Sequence, residues 1–173
     1  ATIVEYFCEQ KSEVHFIDID LKSSNKLIKN IKKKGFRAPK FIECNILDVK
    51  KLQNIIKDII SKKGAIHCLI NSAANDDRHT TEQVDEKYWE NRMGINLKHY
   101  FFAAQAVVKG MKKIKSGSIV NLSSVSWMLG EGDKVVYETA KSAVVGLTRS
   151  FAQEFGKYNI CLLYTSPSPR DSA

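Results

Sequence analysis

Short apolar stretches alternate along this chain with longer segments whose apolar residues recur at helical spacing, and that alternation restricts the fold more than any other feature. Val14 to Ile17, Lys40 to Cys44, Ile66 to Ile70 and Ser118 to Leu122 read as strands, the first ending at Asp18. Between and after them Leu21 to Lys34, Val49 to Lys62, Asp85 to Ile114 and Val136 to Tyr158 read as helices, and Ala1 to Gln10 as another. The segment from Asp85 to Ile114 is expected to hold one or two helices around Asn96. Apolar residues at a period near 3.6 mark a helix with one buried face. Gly35 and Gly64 stand just past two of these helices, where a C-cap favours glycine. Asp20, directly before Leu21, has the chemistry of an N-cap. Apolar strands alternating with helices imply α/β architecture, a doubly wound parallel sheet covered on both faces.

One of these helices carries a candidate proton-transfer site. Tyr137-Glu138-Thr139-Ala140-Lys141 places Tyr137 and Lys141 four residues apart, on one helix face. An ammonium beside a phenol stabilises the phenolate and draws its pKa down from about 10. Such a tyrosine can take the proton of an alcohol while hydride leaves the same carbon. Ser124, thirteen residues before the tyrosine, follows the apolar run Ser118 to Ser123 and could hold the substrate oxygen. A tyrosine and a lysine at this spacing also describe an ordinary solvated helix face, so the pair needs company.

The company is a resemblance to the classical short-chain dehydrogenase/reductase family, covering about residues 1 to 160. That family joins a serine to a YxxxK motif and adds an asparagine one helix earlier; Asn96, in Met93-Gly94-Ile95-Asn96-Leu97, matches it. Its sheet-end NNAG motif stands here as Asn71-Ser72-Ala73-Ala74, departing at the second and fourth letters. The resemblance implies a Rossmann fold and a catalytic set of Asn96, Ser124, Tyr137 and Lys141. Asn96 would hold a water relaying the proton to solvent. It implies NAD rather than NADP, because Asp18 at a strand end would accept from the adenosine ribose hydroxyls and repel a 2′-phosphate. Lys22 nearby leaves NADP open. Asn45 and Ile46 would lie beside the adenine, and Asn71, Ala73, Ala74, Tyr137 and Lys141 along the rest of the cofactor. A narrower resemblance, to D-xylose dehydrogenase-like sugar 1-dehydrogenases, rests on Asn75-Asp76-Asp77-Arg78-His79, Tyr88-Trp89 and Ser124-Val125-Ser126-Trp127. It implies an aldose oxidised at the anomeric carbon to a lactone, with Asn75, Ser124, Trp127 and Tyr137 as substrate contacts. The plain alternative for Asn75 to His79 is a polar loop bonding its own backbone. An oxoacyl or steroid-type ketoreductase shares the same catalytic core, and a catalytically silent oligomerising scaffold is the rival of another class.

Composition narrows the remaining classes. The net charge of +8 comes from 27 basic and 19 acidic residues, much of it in Lys29 to Arg37, Lys50 to Lys63 and Lys109 to Lys115. Each run is interleaved with apolar residues at helical spacing, and only Phe36 supplies an aromatic among the cations. They read as solvated helix faces rather than a nucleic-acid groove. No apolar run approaches the roughly 20 residues that span a bilayer, and Ala1 to Phe7 has no basic leader. Cys8, Cys44, Cys68 and Cys161 are scattered without CxxC spacing, as reduced thiols of a cytoplasmic enzyme would be. His15, His67, His79 and His99 show no metal-ligand spacing. The expected partner is a small molecule, a sugar by the narrower resemblance, and the expected assembly a homo-oligomer. No glycine precedes Gly35, so the first strand and phosphate-cradling loop of the family are expected to be missing from this piece. Residues 1–160 read as a partial domain and 161–173 as a non-native or disordered tail, similar to translated sequencing adapter.

Overall fold

The computed structural model describes residues 1–165 and divides the chain into two compact units, Ala1–Asp48 and Val49–Ala173. The first unit holds α1 (Thr2–Glu9), β1 (His15–Asp18), α2 (Leu21–Lys33) and β2 (Lys40–Glu43). Strands β1 and β2 run parallel with Phe16 opposite Phe41, and the two rings sit 5.3 Å apart. Asp20 caps α2, its side chain accepting the Ser23 amide at 2.9 Å. Hydrogen bonding from Ser23, through its side chain first and then its amide, holds the Asp20 carboxyl below the usual carboxylate range. Lys32 and Lys33 lie in the last turn, where cations oppose the helix dipole. The chain leaves α2 through Gly35 at φ +76°, a left-handed conformation that glycine reaches without steric cost. Cys8, Ser24, Ile31 and Cys44 are buried in this unit.

The second unit holds α3 (Val49–Lys63), β3 (Cys68–Asn71), α4 (Glu86–Met93), α5 (His99–Ile114), β4 (Gly117–Leu122), α6 (Ser126–Leu129), α7 (Val135–Phe155) and β5 (Ile160–Thr165). Its sheet has the order β3-β4-β5, all parallel, with Cys68 opposite Ser118 and Gly117 opposite Ile160. Central β4 buries Ile119 and Asn121 completely. Tyr100, Ala103, Ala104, Val107 and Met111 form the buried face of α5, at the three- and four-residue spacing of an amphipathic helix. Val136, Ala140, Val144, Thr148, Phe151 and Phe155 do the same for α7. Met111 crowds the first residue of β4: a methyl at Gly117 would lie 2.5 Å from the Met111 sulfur.

The α/β class, the parallel strands and the helix order agree with the expectation from sequence. The segment around Asn96 forms two helices, α4 and α5, within the one or two expected, joined through a π-helical segment, Gly94–Lys98, that contains Asn96. Two details differ. The short helix α6 was not anticipated, since its Ser-Trp-Met-Leu sequence is too brief to show a period. Strand β5 continues through Thr165, so ordered structure passes five residues beyond the expected boundary at 160. Apolar Leu162 and Leu163 and β-favouring Tyr164 and Thr165 suit a strand pairing along the whole of β4. The rest of the expected tail, 166–173, lies outside the described residues.

Candidate active site

The carboxyl end of β4 and the first turns of α7 bring three of the predicted catalytic residues, Ser124, Tyr137 and Lys141, together. Ser123, directly after β4, donates its hydroxyl to the Lys141 carbonyl at 2.8 Å and ties the strand end to the helix. Ser124 follows in a tight turn: its Oγ accepts the Ser126 amide at 3.2 Å and lies 2.9 Å from the Ser126 hydroxyl. A hydrogen bond with Ser124 acts on the Tyr137 phenol and favours its ionised form. Lys141, four residues along α7, is 1% exposed, with its Nζ 5.5 Å from the centre of the Tyr137 ring.

The electrostatics differ from the sequence expectation in one respect. Tyr137 is not drawn down: half-burial pushes its phenol up, and this exceeds the opposing effects of Ser124 and Lys134. The charges of Asp76 and Glu131 push in the same upward direction. Burial also depresses Lys141, to about 8, with Asp76 pulling the other way. The ammonium spends its hydrogen bonds on the Tyr100 hydroxyl at 2.9 Å and the Leu122 carbonyl at 2.7 Å. Tyr100 donates in turn to the Leu122 carbonyl at 2.9 Å. Desolvation therefore governs both members of the Tyr-Lys pair.

Asn96 is fully buried, and its carboxamide grips the main chain of Asn75 at both ends. Its Oδ1 accepts the Asn75 amide at 2.8 Å, and its Nδ2 donates to the Asn75 carbonyl at 2.9 Å. The side chain thus fixes the loop after β3. Asn75 builds a local turn, its own Oδ1 accepting the Asp77 amide at 2.9 Å, as a polar loop residue does. Trp127 is half-buried on α6 beside exposed Met128 and Leu129.

The residues expected to hold a dinucleotide fit that chemistry in part. Ala73 and Ala74, exposed at the carboxyl end of β3, present nothing beyond Cβ and allow close approach to the backbone. Asp18 is exposed at the end of β1, its Oδ1 accepting the Ile19 and Asp20 amides at 2.7 and 3.0 Å. Asn45 bends the chain, its Oδ1 accepting the Leu47 amide at 3.0 Å. Ile46 beside it is half-buried. Asn71 departs most. Its carboxamide is buried and donates to Asn121 Oδ1 at 2.9 Å, so a ligand would meet only its main chain. Asn121 donates onward to Thr148 at 2.9 Å, and Thr148 to the Val144 carbonyl at 2.7 Å, a buried chain linking β3, β4 and α7. Among the described residues, no group of three or more His, Cys, Asp or Glu side chains is placed to hold a metal ion, and no helix is long and apolar enough to cross a membrane.

Tyr100, Ser123, Asn121 and Thr148 were missed from sequence. Tyr100 had a signal, since it stands four residues after Asn96 on a helical segment; a polar Asn121 inside an apolar strand was another.

Comparison with known proteins agrees with this geometry. The chain is 37% identical over 160 residues to a probable galactose dehydrogenase of Rhizobium meliloti, covering 92% of this chain and 62% of that protein. It is 37% identical over 154 residues to D-xylose 1-dehydrogenase of Caulobacter vibrioides, covering 89% and 60%. The chain thus spans about 60% of the length of these curated relatives. The crystal structure of a metagenomic short-chain oxidoreductase in complex with NADP superposes with a TM-score of 0.90 at 18% identity, over 98% of this chain and 79% of that one. The sequence model of the short chain dehydrogenase family matches residues 1–173 throughout, and the chain belongs to that family.

Proposed function

We propose that the protein containing this chain is an NAD-dependent oxidoreductase that oxidises an aldose at its anomeric carbon to a lactone. The observation that carries the reading is the meeting of Ser124, Tyr137 and Lys141 at the carboxyl end of β4, with Lys141 Nζ 5.5 Å from the Tyr137 ring centre. Two relatives at 37% identity, both sugar dehydrogenases, support the substrate class. Tyr137, as phenolate, removes the hydroxyl proton. Lys141 holds a cation beside the ring and favours that phenolate. Ser124 orients the reacting oxygen and stabilises its developing charge. Within the second unit we assign Ala73, Ala74 and Lys141 to the cofactor; within the first, Asp18, Asn45 and Ile46 are the residues that the family resemblance gives to cofactor binding. When bound, a nicotinamide dinucleotide supplies the hydride acceptor. The carboxylate of Asp18 supports NAD over NADP by its charge alone.

The test uses the longest reading frame that contains this chain, assayed with NAD and NADP on aldoses and on ketones. NAD-linked oxidation of an aldose, lowered by about 10²–10⁴ in Tyr137→Phe with cofactor affinity kept, is the expected outcome. A fall of less than about tenfold would remove Tyr137 as the base, and ketone reduction without aldose oxidation would replace the substrate class.

A further inference from the structure

We propose that His79 caps the amino end of α7 and is thereby a positioning residue for Tyr137. The first amides of any α-helix lack carbonyl partners within the helix. In α7 these include Val136, since the first backbone bond of the helix runs from the Glu138 amide to the Lys134 carbonyl at 3.0 Å. The residue at the cap position, Lys134, makes no side-chain cap of its own. Val136 is 1% exposed, so water is not at hand to satisfy its amide. The partner comes from 57 residues away: the Val136 amide donates to His79 Nε2 at 3.4 Å. Tyr137 is the next residue.

The histidine is held for this purpose from every side. Its own amide donates to the Asp133 carbonyl at 2.7 Å, just before α7. An amide only donates, so Nε2 carries the lone pair and the ring proton sits on Nδ1. That nitrogen lies 3.2 Å from the Asp77 carbonyl and 3.1 Å from the Tyr88 hydroxyl of α4. The rest of the motif ties the same loop down. Asp77 pairs with Arg92 of α4 at 2.5 Å, Arg78 pairs with Asp133, and the Asn75 main chain is clamped by Asn96. Asn75 to His79 therefore act as a strap from the end of β3 to the first turn of α7, and set where Tyr137 stands relative to Ser124.

The cap can be tested apart from activity; only its consequence for turnover rests on the function proposed above. Glutamine places an acceptor oxygen near the position of Nε2, whereas asparagine reaches only as far as Nδ1. In the longest reading frame containing this chain, hydrogen exchange across 134–140 should be near wild type in His79→Gln. It should be about tenfold faster in His79→Asn and His79→Leu. Turnover should fall about ten- to a hundredfold in Asn and Leu, with the KM for the cofactor unchanged, and recover in Gln. Should the Leu protein fail to fold, the Gln and Asn pair decides. Equal exchange in Gln and Asn would overturn the cap. Faster exchange in Asn with undiminished turnover would overturn the positioning role. A wild-type protein that moves no hydride, yet shows the Gln–Asn difference in exchange, would sink the functional reading and leave the cap standing.

Discussion

Lys141 and His99 are charges, or potential charges, taken out of water, and the fold responds to each in a measurable way. Lys141 keeps a folded pKa of about 8 against an ordinary 10.5. Below 8 the folded state carries a desolvated ammonium, a penalty on the order of 3 kcal/mol that is relieved as pH rises from 8 to 10.5. Lys141→Met removes the penalty and leaves Tyr100 bonded to the Leu122 carbonyl. We expect a higher thermal midpoint at pH 7 together with lost turnover, read from melting curves and assays of one preparation; a lower midpoint would mean that the Tyr100 and Leu122 bonds outweigh the desolvation. His99 is buried, and neither ring nitrogen makes a hydrogen bond among the described residues. Burial, then the charge of Lys141, hold its pKa near 4, against weaker opposing pulls from the Gly94 and Ile95 carbonyls. Between pH 6.5 and 4 the unfolded chain binds a proton that the folded chain declines, so stability falls as pH falls through that window. His99→Phe should flatten the acid limb of a pH–stability curve, and an unaltered limb would place the titration elsewhere. The Tyr-Lys spacing was legible because helix geometry alone puts residues four apart on one face. The direction of the Tyr137 shift was not, because it depends on how much water the fold removes.

Elements show where local sequence ceases to determine roles. Asp20 and Gly35 mark the ends of α2 by chemistry local to those positions, so the sequence was enough to find them. Asn71 and Asn121 are separated by 50 residues and meet only because β3 and β4 pair in the register Asn71 opposite Asn121. Local sequence therefore could not show that the Asn71 carboxamide bonds across the sheet. The same applies to Asn96, whose partner Asn75 lies 21 residues earlier, and to β5, whose partner strand made an apparent tail into an edge of the sheet. Asn121→Ala should leave the buried Asn71 amide without its acceptor. It should destabilise the second unit by about 1–3 kcal/mol, read as a shift in urea midpoint at constant slope. A shift below about 0.5 kcal/mol would mean that the network is replaceable.

At the scale of the whole chain, stability should be unevenly shared between the units. The 48 residues of the first unit lie near the lower limit at which a hydrophobic core sustains a fold, and their sheet has two strands. The second unit has a three-stranded sheet whose central strand is paired on both sides, with buried faces from α5 and α7 against it. Among the described residues, strands β1 and β3 each pair with one neighbour, so each presents an edge without a strand partner there. Edges of this kind open readily and recruit other chains. Expressed alone, residues 1–173 should therefore exchange the β1 amides of Phe16 and Ile17 well before those of Ile119 and Val120 in β4. They should also aggregate on concentration. Equal protection in the two sheets, with a single cooperative transition that sharpens on adding NAD, would show instead that this chain by itself holds the cofactor and folds as one body.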